Sequence, residues 1–469
     1  MHAALVVALA GLCLAKPITD LELDKRATDT AVVNLANNTG NPSHYASGIL
    51  YGIPDTANQI PDHFYTDIGF NYARAGGAQV ASPGRGWIWN EYPARFASAL
   101  SNYKTTRKYG GTFILLPHDV WGADGTQNSS APYPGDNGDW KSYDAYLDRL
   151  ISDLKANGMT TSTLVFDIWN EPDLSAFWNR KQDQYLQVWG RTYYKIRSAL
   201  PNVLISGPSS SSSPTTNPTW WSAFLSFVAT NGSVPDQWSW HMEYSSGNML
   251  ETNGNLQRLL NQYKLPRKPL NINEYAVFNE EVPAGAAWFI AQLERVNAHG
   301  LRGNWLSGGS NGGALHDYMA SLLGKPNAGT SAYNPLAAGY WPNGEWQVYR
   351  YYNANMTGTR RGSTPSGDAK LDAYTTVGAD GIVRTLVGVR ITTGTWQLQI
   401  ENLSSVGLPQ SGTLNIHTWG FPDNGHYGEV DGPKDLGTVA HTYSGNSVTF
   451  PIYQTDATTA YAFEFAVGS

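Results

Sequence analysis

Two strand-like runs in this chain each end in a glutamate. The first run, residues 164–168, leads into Trp169-Asn170-Glu171-Pro172-Asp173, and the second, residues 269–273, leads into Glu274. Pro172 cannot continue a hydrogen-bonded ladder, so the first strand should stop beside Glu171. One carboxyl that donates a proton and one carboxylate that attacks the anomeric carbon form the pair that cleaves glycosidic bonds with retention. We therefore predict Glu171 as the general acid and base and Glu274 as the nucleophile.

The segment from residue 45 to 357 alternates strand-like runs with stretches long enough for a helix. Apolar side chains fall on one helical face in residues 140–154, 185–200 and 286–298. This alternation predicts a (β/α)8 TIM barrel, with a doubly wound sheet as the alternative. Strands four and seven of a barrel lie across its mouth, where Glu171 and Glu274 would meet. The strand candidates are 48–53, 71–75, 112–117, 163–169, 203–207, 238–242, 270–274 and 303–306.

The pattern changes after residue 358. Residues 359–368 are rich in Gly, Pro and Ser, whereas residues 395–400 alternate apolar and polar side chains. Further strand candidates at 412–418 and 460–467 complete the signature of a β-sandwich over residues 358–469. We expect residues 27–44, with the apolar run 31–35, to add an N-terminal strand to that sandwich.

The N-terminus reads as a targeting sequence. Residues 1–15 resemble a secretory signal peptide, and residues 16–26 resemble a propeptide cut after Lys25-Arg26. The single cysteine, Cys13, lies inside the signal, which excludes thiol catalysis and cysteine-bound metal in the mature chain. The sequence thus predicts a secreted, extracellular protein. Five N-glycosylation sequons begin at Asn37, Asn128, Asn231, Asn355 and Asn402.

Composition narrows the class of partner. The 469 residues are 41% hydrophobic and 15% charged, with a net charge of −7, which argues against nucleic acid and anionic membranes as partners. Some of the 17 Trp and 27 Tyr could stack on sugar rings, although a large core also needs them. The histidines show no metal-binding spacing, so we expect neither metal nor cofactor. We expect a monomer with a carbohydrate substrate.

The fourth-strand motif resembles a known enzyme family. Residues 166–174, followed by Phe177-Trp178 and Tyr185, look like glycoside hydrolase family 39 of the retaining clan A, in a secreted member of fungal type. The resemblance implies the same roles for Glu171 and Glu274, and implies that Asn170 binds the sugar 2-hydroxyl. The match is looser at the seventh strand, so Glu280 and Glu281 remain rival nucleophiles.

The ends of other strands carry candidate substrate-binding residues. In clan A an arginine at the end of the second strand braces the nucleophile, although a rim salt bridge would also explain it. The resemblance further suggests a tyrosine after the sixth strand that hydrogen-bonds the nucleophile, and a tryptophan after the eighth as a sugar platform or a core residue. These candidates are Arg74, His118, Asp119, Trp121, His241, Tyr244 and Trp305.

The function predicted from the sequence is retaining hydrolysis of glycosidic bonds in a plant or microbial polysaccharide or its oligosaccharides. Two alternatives remain open: an exo-acting β-xylosidase, and a carbohydrate-binding barrel without turnover. The second has no need of both Glu171 and Glu274.

Overall fold

The computed structural model describes residues 29–77, 84–243, 247–303, 316–319 and 321–468. Its strands are β1 (Thr30–Asn38), β2 (Gly48–Leu50), β3 (Tyr72–Ala75), β4 (Thr112–Leu115), β5 (Leu164–Asp167), β6 (Leu204–Ser210), β7 (Gln237–Met242), β8 (Leu270–Tyr275), β9 (Ala298–Arg302), β10 (Leu323–Gly324), β11 (Trp341–Pro342), β12 (Thr359–Thr364), β13 (Leu371–Val377), β14 (Ile382–Val389), β15 (Gly394–Glu401), β16 (Gly412–Phe421), β17 (Lys434–Tyr443), β18 (Ser447–Gln454) and β19 (Ala460–Ala466). Its helices are α1 (His63–Thr66), α2 (Tyr92–Lys108), α3 (Pro117–Trp121), α4 (Lys141–Ala156), α5 (Gln182–Ala199), α6 (Pro218–Asn231), α7 (Met249–Gln262), α8 (Pro283–Val296) and α9 (Gly344–Ala354).

Strands β2 to β9 close into a parallel barrel in chain order. Strand β2, the first of the barrel, pairs with both β3 and β9, so the barrel has no open strand edge. The predicted (β/α)8 barrel is therefore confirmed, and the doubly wound sheet is excluded. The strands are short and almost wholly buried because side chains of the helices cover their outer faces.

The eighth barrel strand lies earlier in the chain than residues 303–306, where the sequence placed it. Asn297 adopts a left-handed conformation with φ of 54° and ends α8, so the chain enters β9 at once. A Cβ on Gly300 would lie 2.4 Å from Leu293 Cδ1 and 2.9 Å from Tyr275 Cε1, so the strand packs closely on its neighbours at this glycine. The predicted bounds of the eighth barrel strand were therefore wrong.

The C-terminal part forms one continuous nine-stranded sheet. Its strand order is β17-β16-β19-β14-β13-β12-β1-β15-β18, and its two end strands β17 and β18 lie in contact, so the sheet wraps around its own core. Trp396, Leu398 and Ile400 point into that core, as their alternation predicts. The N-terminal strand β1 runs parallel to β15 and antiparallel to β12. The C-terminal β-sandwich is thus one folded-over sheet.

Helix α8 joins the barrel to the sheet. It follows β8 along the barrel wall, and its other side packs on β13, β14 and β19. Every residue of α8 from Pro283 to Glu294 is buried. Arg295 pairs with Asp372, and Arg390 with Glu280 at 2.7 Å, which adds charged contacts across the junction. Among the described residues, no helix is long and apolar enough to cross a bilayer.

Candidate active site

The two predicted glutamates meet at the C-terminal mouth of the barrel. Glu171 follows β5, and Glu274 lies in β8, and each is 4% exposed. Polar side-chain atoms of these two residues lie within 4.8 Å of each other. Retaining glycosidases hold their carboxyl groups about 5 Å apart, whereas inverting enzymes need room for a water molecule between them. The separation therefore suits direct attack by one of the two carboxylates.

The local backbone aims the Glu171 carboxyl at the mouth of the barrel. Glu171 has a φ of 41°, and its N–H donates to the carbonyl oxygen of Ser209 at 2.9 Å. A left-handed residue at the end of a strand turns the chain out of the strand direction. Behind it, the Trp169 indole N–H donates to the Phe177 carbonyl at 3.0 Å, and the ring packs on Trp178. The Phe177-Trp178 pair therefore supports the strand end.

Arg74 is the cation that orders the floor of the site. It is fully buried, and its guanidinium donates to Glu274 Oε1 at 2.5 Å, to Asp167 Oδ2 at 2.7 Å and to Asn170 Oδ1 at 2.7 Å. Charge-assisted hydrogen bonds of this kind fix orientation as well as charge. Arg74 thus braces Glu274 and also holds Asn170 beside Glu171.

A second layer of buried polar groups lies beneath Arg74. Asp167 accepts from Ser209 Oγ at 2.7 Å and from Asn273 Nδ2 at 2.8 Å, and Ser209 Oγ lies 2.7 Å from Ser239 Oγ. Sequence reasoning missed this layer because its members lie on four different strands and become neighbours only through the strand register. A charged residue inside an otherwise apolar strand, Asp167, was the available signal.

His241 bridges the two glutamates. Its Nδ1 lies 2.8 Å from Glu171 Oε1 and 3.5 Å from Glu274 Oε2. Burial lowers the pKa of His241 to about 4, even though Glu274 opposes the shift. The imidazole is therefore neutral at neutral pH, and it can hold either glutamate without adding a charge.

The electrostatic environment separates the roles of the carboxyls. Burial and the nearby Asp173 raise the pKa of Glu171 to about 8, although Arg74 and His118 oppose the shift. Burial also raises the pKa of Glu274, but His241 and the bonded Arg74 guanidinium oppose the shift there. Because Arg74 bonds Glu274 directly, Glu274 ionises first and Glu171 keeps its proton. This is the division of labour between a nucleophile and a general acid.

A third carboxyl group, Glu243, also lies in the site. It follows β7 directly, and its carboxyl oxygen lies within 4.8 Å of the facing atoms of Glu171, His241 and Glu274. Sequence reasoning left Glu243 aside because it would share a face with His241 only if the strand continued. The strand ends at Met242, yet the side chain still turns inward.

His118 and Asp119 form a buried pair beside the strand ends. His118 Nε2 lies 3.0 Å from Asp119 Oδ1, and Asp119 also accepts from the Tyr51 hydroxyl. Burial would raise the pKa of Asp119, but His118 and Arg95 together lower it to about 2. Asp119 is therefore engaged by protein groups on several sides. His118 packs edge-on against Phe177 and is the better placed of the two to contact a ligand.

Three further residues were predicted to bind substrate: Trp121, Tyr244 and Trp305. Trp121, predicted to bind substrate, is instead buried within the protein: its indole N–H donates to the Pro132 carbonyl, and its ring packs against Tyr143 and Tyr146. The cause is the short helix α3, which turns Trp121 outward beneath α4. Tyr244 and Trp305 lie outside the described residues.

The rival nucleophiles are used elsewhere. Glu280 pairs with Arg390 at 2.7 Å and Glu281 with Arg302 at 3.3 Å, so each is already held in an ion pair with an arginine. Within the described ranges, the site glutamates and His241 also form the one cluster of polar atoms close enough to surround a cation. Arg74 bonds into that cluster, and a guanidinium there would repel a metal ion. The cluster is therefore better suited to acid–base chemistry.

Comparison with known proteins agrees with this geometry. Residues 123–291 match the model of the family "Glycosyl hydrolases family 39". The fold is similar to that of N2152 from Neocallimastix frontalis, with 21% identity, a TM-score of 0.71, and coverage of 94% of this chain and 100% of that one. It is also similar to a monomeric beta-xylosidase from Caulobacter crescentus CB15, with 14% identity, a TM-score of 0.54, and coverage of 94% and 100%.

A third similar structure is the GH39 enzyme from Xanthomonas axonopodis pv. citri, with 14% identity, a TM-score of 0.52, and coverage of 94% of this chain and 98% of that one. A search of curated protein sequences gave no significant match. At these identities the structural likeness establishes the fold, while the family match spans Glu171, His241, Glu243 and Glu274. The predicted resemblance to glycoside hydrolase family 39 is thereby confirmed over residues 123–291.

Proposed function

We propose that this protein is a retaining glycoside hydrolase that cleaves polysaccharides or their oligosaccharides through a covalent glycosyl-enzyme. One observation carries the proposal: Glu171 and Glu274 have polar atoms within 4.8 Å, and Arg74 bonds only the second of them. A barrel that only bound sugars would gain nothing from burying two carboxyls side by side, because the burial costs stability.

The reaction has two steps. In the first, ionised Glu274 attacks the anomeric carbon while Glu171 gives its proton to the departing glycosidic oxygen. In the second, Glu171, now a base, takes a proton from water, and the hydroxide attacks the same carbon and releases Glu274. Asn170, held by Arg74, is placed to bind the hydroxyl next to the reacting carbon.

The nucleophile assignment predicts the behaviour of Glu274→Gln. This variant keeps the shape of the site and removes the attacking charge, so we expect kcat to fall at least about 10³-fold. A 2-deoxy-2-fluoro glycoside with a good leaving group should inactivate the wild type, because its leaving group departs and the 2-deoxy-2-fluoroglycosyl group stays on Glu274 and adds its mass to the peptide that contains Glu274. Proton NMR should show that the first anomer formed has the configuration of the substrate.

Glu280→Gln serves as the matched control, because Glu280 is a buried glutamate engaged in an ion pair outside the reacting pair. Near wild-type turnover in the Glu274 variant, or an inverted product, would refute the two-step mechanism.

The charge of the site bears on the substrate. Among the described residues, the cation bonded to the catalytic pair is Arg74, and Asp167 and Glu274 already neutralise it. This balance of charge favours a neutral sugar over a uronic acid.

The family match leaves both exo-acting β-xylosidase and endo-acting activity open. Xylan, arabinogalactan, microbial exopolysaccharides and synthetic β-xylosides should be screened: monosaccharide alone means exo action, and a ladder of oligosaccharides means endo action.

We also propose that the protein is secreted, glycosylated and monomeric. Asn37, Asn128 and Asn355 are exposed, whereas the side-chain amides of Asn231 and Asn402 donate to Ser233 Oγ and Asn34 Oδ1. We expect glycans at the first three sites. Mass spectrometry of the secreted protein would give both the occupied sites and the N-terminal residue, which is Ala27 if cleavage follows Arg26. Light scattering would test the monomer.

A further inference from the structure

Glu243 lies against the catalytic pair but has no part in the two-step reaction. Its carboxyl oxygen is within 4.8 Å of the facing atoms of Glu171, Glu274 and His241. Oε1 of Glu243 and Oε2 of Glu274 are both buried, and neither has a hydrogen-bond partner among the described residues. Two buried carboxyl groups this close repel each other when both are ionised.

A single proton resolves this conflict. If one of the two carboxyls is protonated, its O–H can donate to the other, and repulsion becomes a charge-assisted hydrogen bond. Glu274 is the poorer holder of that proton, because its Oε1 already accepts from the Arg74 guanidinium at 2.5 Å. The proton therefore belongs on Glu243.

The titratable groups around Glu243 also favour its protonated form. From β8 it faces Glu274, from the loop after β5 it faces Glu171, and from the turn after β8 it faces Glu280, which is itself paired with Arg390. It also faces His241 of the preceding strand β7, which is neutral at neutral pH. No cation bonds Glu243 within the part of the chain that the structure describes, and burial together with Glu274 and Glu171 raises its pKa.

We propose that Glu243 is a positioning residue that stays protonated and donates a hydrogen bond to Glu274 Oε2, thereby fixing the nucleophile and keeping it ionised. The inference rests on the proposed function. Arg74 then holds one oxygen of Glu274 and Glu243 the other, and the carboxylate cannot rotate between attacks. The donor also favours the charged form of Glu274, and so it extends activity toward lower pH.

Two variants distinguish a protonated Glu243, which donates a hydrogen bond to Glu274, from an ionised Glu243. Glu243→Gln keeps a donor, because its amide N–H can take the place of the O–H, whereas Glu243→Met keeps the length without a donor. The measurement is the acidic limb of the pH profile of kcat/KM. We expect the Gln variant to stay within about threefold of the wild type with its acidic limb unchanged. We expect the Met variant to lose at least about tenfold in kcat with little change in KM, and its acidic limb to move up by roughly one pH unit.

An ionised Glu243 would shift the pH profile in the opposite direction. If Glu243 were ionised, both variants would remove a negative charge beside Glu274, and the acidic limb of both would move to lower pH. That outcome overturns the proposal, and so does an acidic limb that stays in place in the Met variant. Each assay is repeated with EDTA, which removes divalent metal ions. Loss of activity on addition of EDTA would mean that a metal ion links the carboxyl groups, and it would also overturn the proposal.

A second measurement does not need turnover, so it separates this inference from the proposed activity. If Glu243 is protonated in the folded state, the gain in Tm of Glu243→Gln should be small at pH 4, close to the pKa of about 4.3 of a glutamate in the unfolded chain, and should keep growing up to pH 8.5, because the unfolded wild type loses the proton that the folded state retains. A gain in Tm that is already complete at pH 5 would mean an ionised Glu243. Absence of hydrolysis on every substrate screened would count against the proposed function, and the Tm comparison would still decide the state of Glu243.

Discussion

At the scale of single residues, Glu171 combines two costs that the fold must offset. Its backbone is left-handed, with φ of 41°, and its carboxyl is almost fully buried. A left-handed non-glycine residue costs about 1–2 kcal/mol. Such strain at the end of a strand is typical of functional sites, where position matters more than stability. Asn170 beside it is held by Arg74, so the strained residue is flanked by a fixed one.

The general-acid role predicts how Glu171→Gln depends on the leaving group. Without a proton donor, we expect kcat/KM for natural oligosaccharides to fall about 10²–10⁴-fold. A dinitrophenyl glycoside, whose leaving group needs no proton, should form the glycosyl-enzyme at nearly the wild-type rate. Added azide should then speed turnover and give a glycosyl azide with the configuration of the substrate. Equal losses on both substrates would show that Glu171 is not the acid.

Sequence reasoning could find the site residues that terminate strands. Glu171, Glu274, Arg74 and His241 all follow or end apolar runs, and barrel geometry brings strand ends together. It could not orient residues past a strand end, where the two-residue alternation no longer fixes direction. This limit explains why Glu243 was not predicted and why Trp121, which α3 turns toward α4, was predicted to bind substrate.

At the scale of elements, the loops after β5 and β6 are tied together by Asp173. Its carboxylate accepts from the Ser211 N–H at 2.8 Å and from the Ser212 N–H at 3.0 Å. The same carboxylate is one of the groups that raise the pKa of Glu171. One side chain therefore fixes the shape of the rim and tunes the acid.

The dual role predicts the effect of Asp173→Asn. Removal of the negative charge should lower the pKa of Glu171, so the alkaline limb of kcat/KM should move to lower pH, by up to about one unit. KM should rise because one amide oxygen replaces two carboxylate oxygens as acceptor for the Ser211–Ser212 loop. The exposed substitution Asp148→Asn is a control that should leave both quantities unchanged. An alkaline limb that moves upward would contradict the assigned direction.

Element types were easier to predict from this sequence than element ends. Helix α4 was found because its apolar residues recur at helical spacing, and β15 because its side chains alternate. The eighth barrel strand was misplaced because its need for Gly300 arises from contact with Leu293 in α8. Such a requirement depends on how the helix packs on the strand, and hydrophobic periodicity does not reveal it.

At the scale of the whole molecule, the barrel and the sheet touch through a contact with no spare room. A Cβ on Gly388 in β14 would lie 2.2 Å from the Ala284 carbonyl oxygen and 2.7 Å from Ala287 Cβ in α8. The nearest atom is backbone, so the clash cannot be relieved by turning a side chain. The two parts must separate to admit a single methyl group.

We therefore expect Gly388→Ala to destabilise the protein by about 1–3 kcal/mol. Turnover should also fall, since α8 follows the strand that carries Glu274. Gly254→Ala is the matched control, because a Cβ on Gly254 in helix α7 meets nothing within 4 Å. That substitution should raise stability by about 0.5–1 kcal/mol through helix propensity. Urea unfolding of both variants, followed by tryptophan fluorescence and by activity, would test the pair; wild-type stability in Gly388→Ala would contradict the close contact.

Helix α8 is a wall of the barrel and at the same time a layer under the sheet, so it belongs to both parts equally. A cut between residues 354 and 359 would expose the buried face of α8 to water rather than release an independent module. The first strand of the sheet, β1, also precedes the barrel in the chain, so excision would leave a hole between β12 and β15. Grafting this β-region onto another catalytic barrel, or trading it for a different appendage, would therefore require α8 and β1 to be transplanted with it.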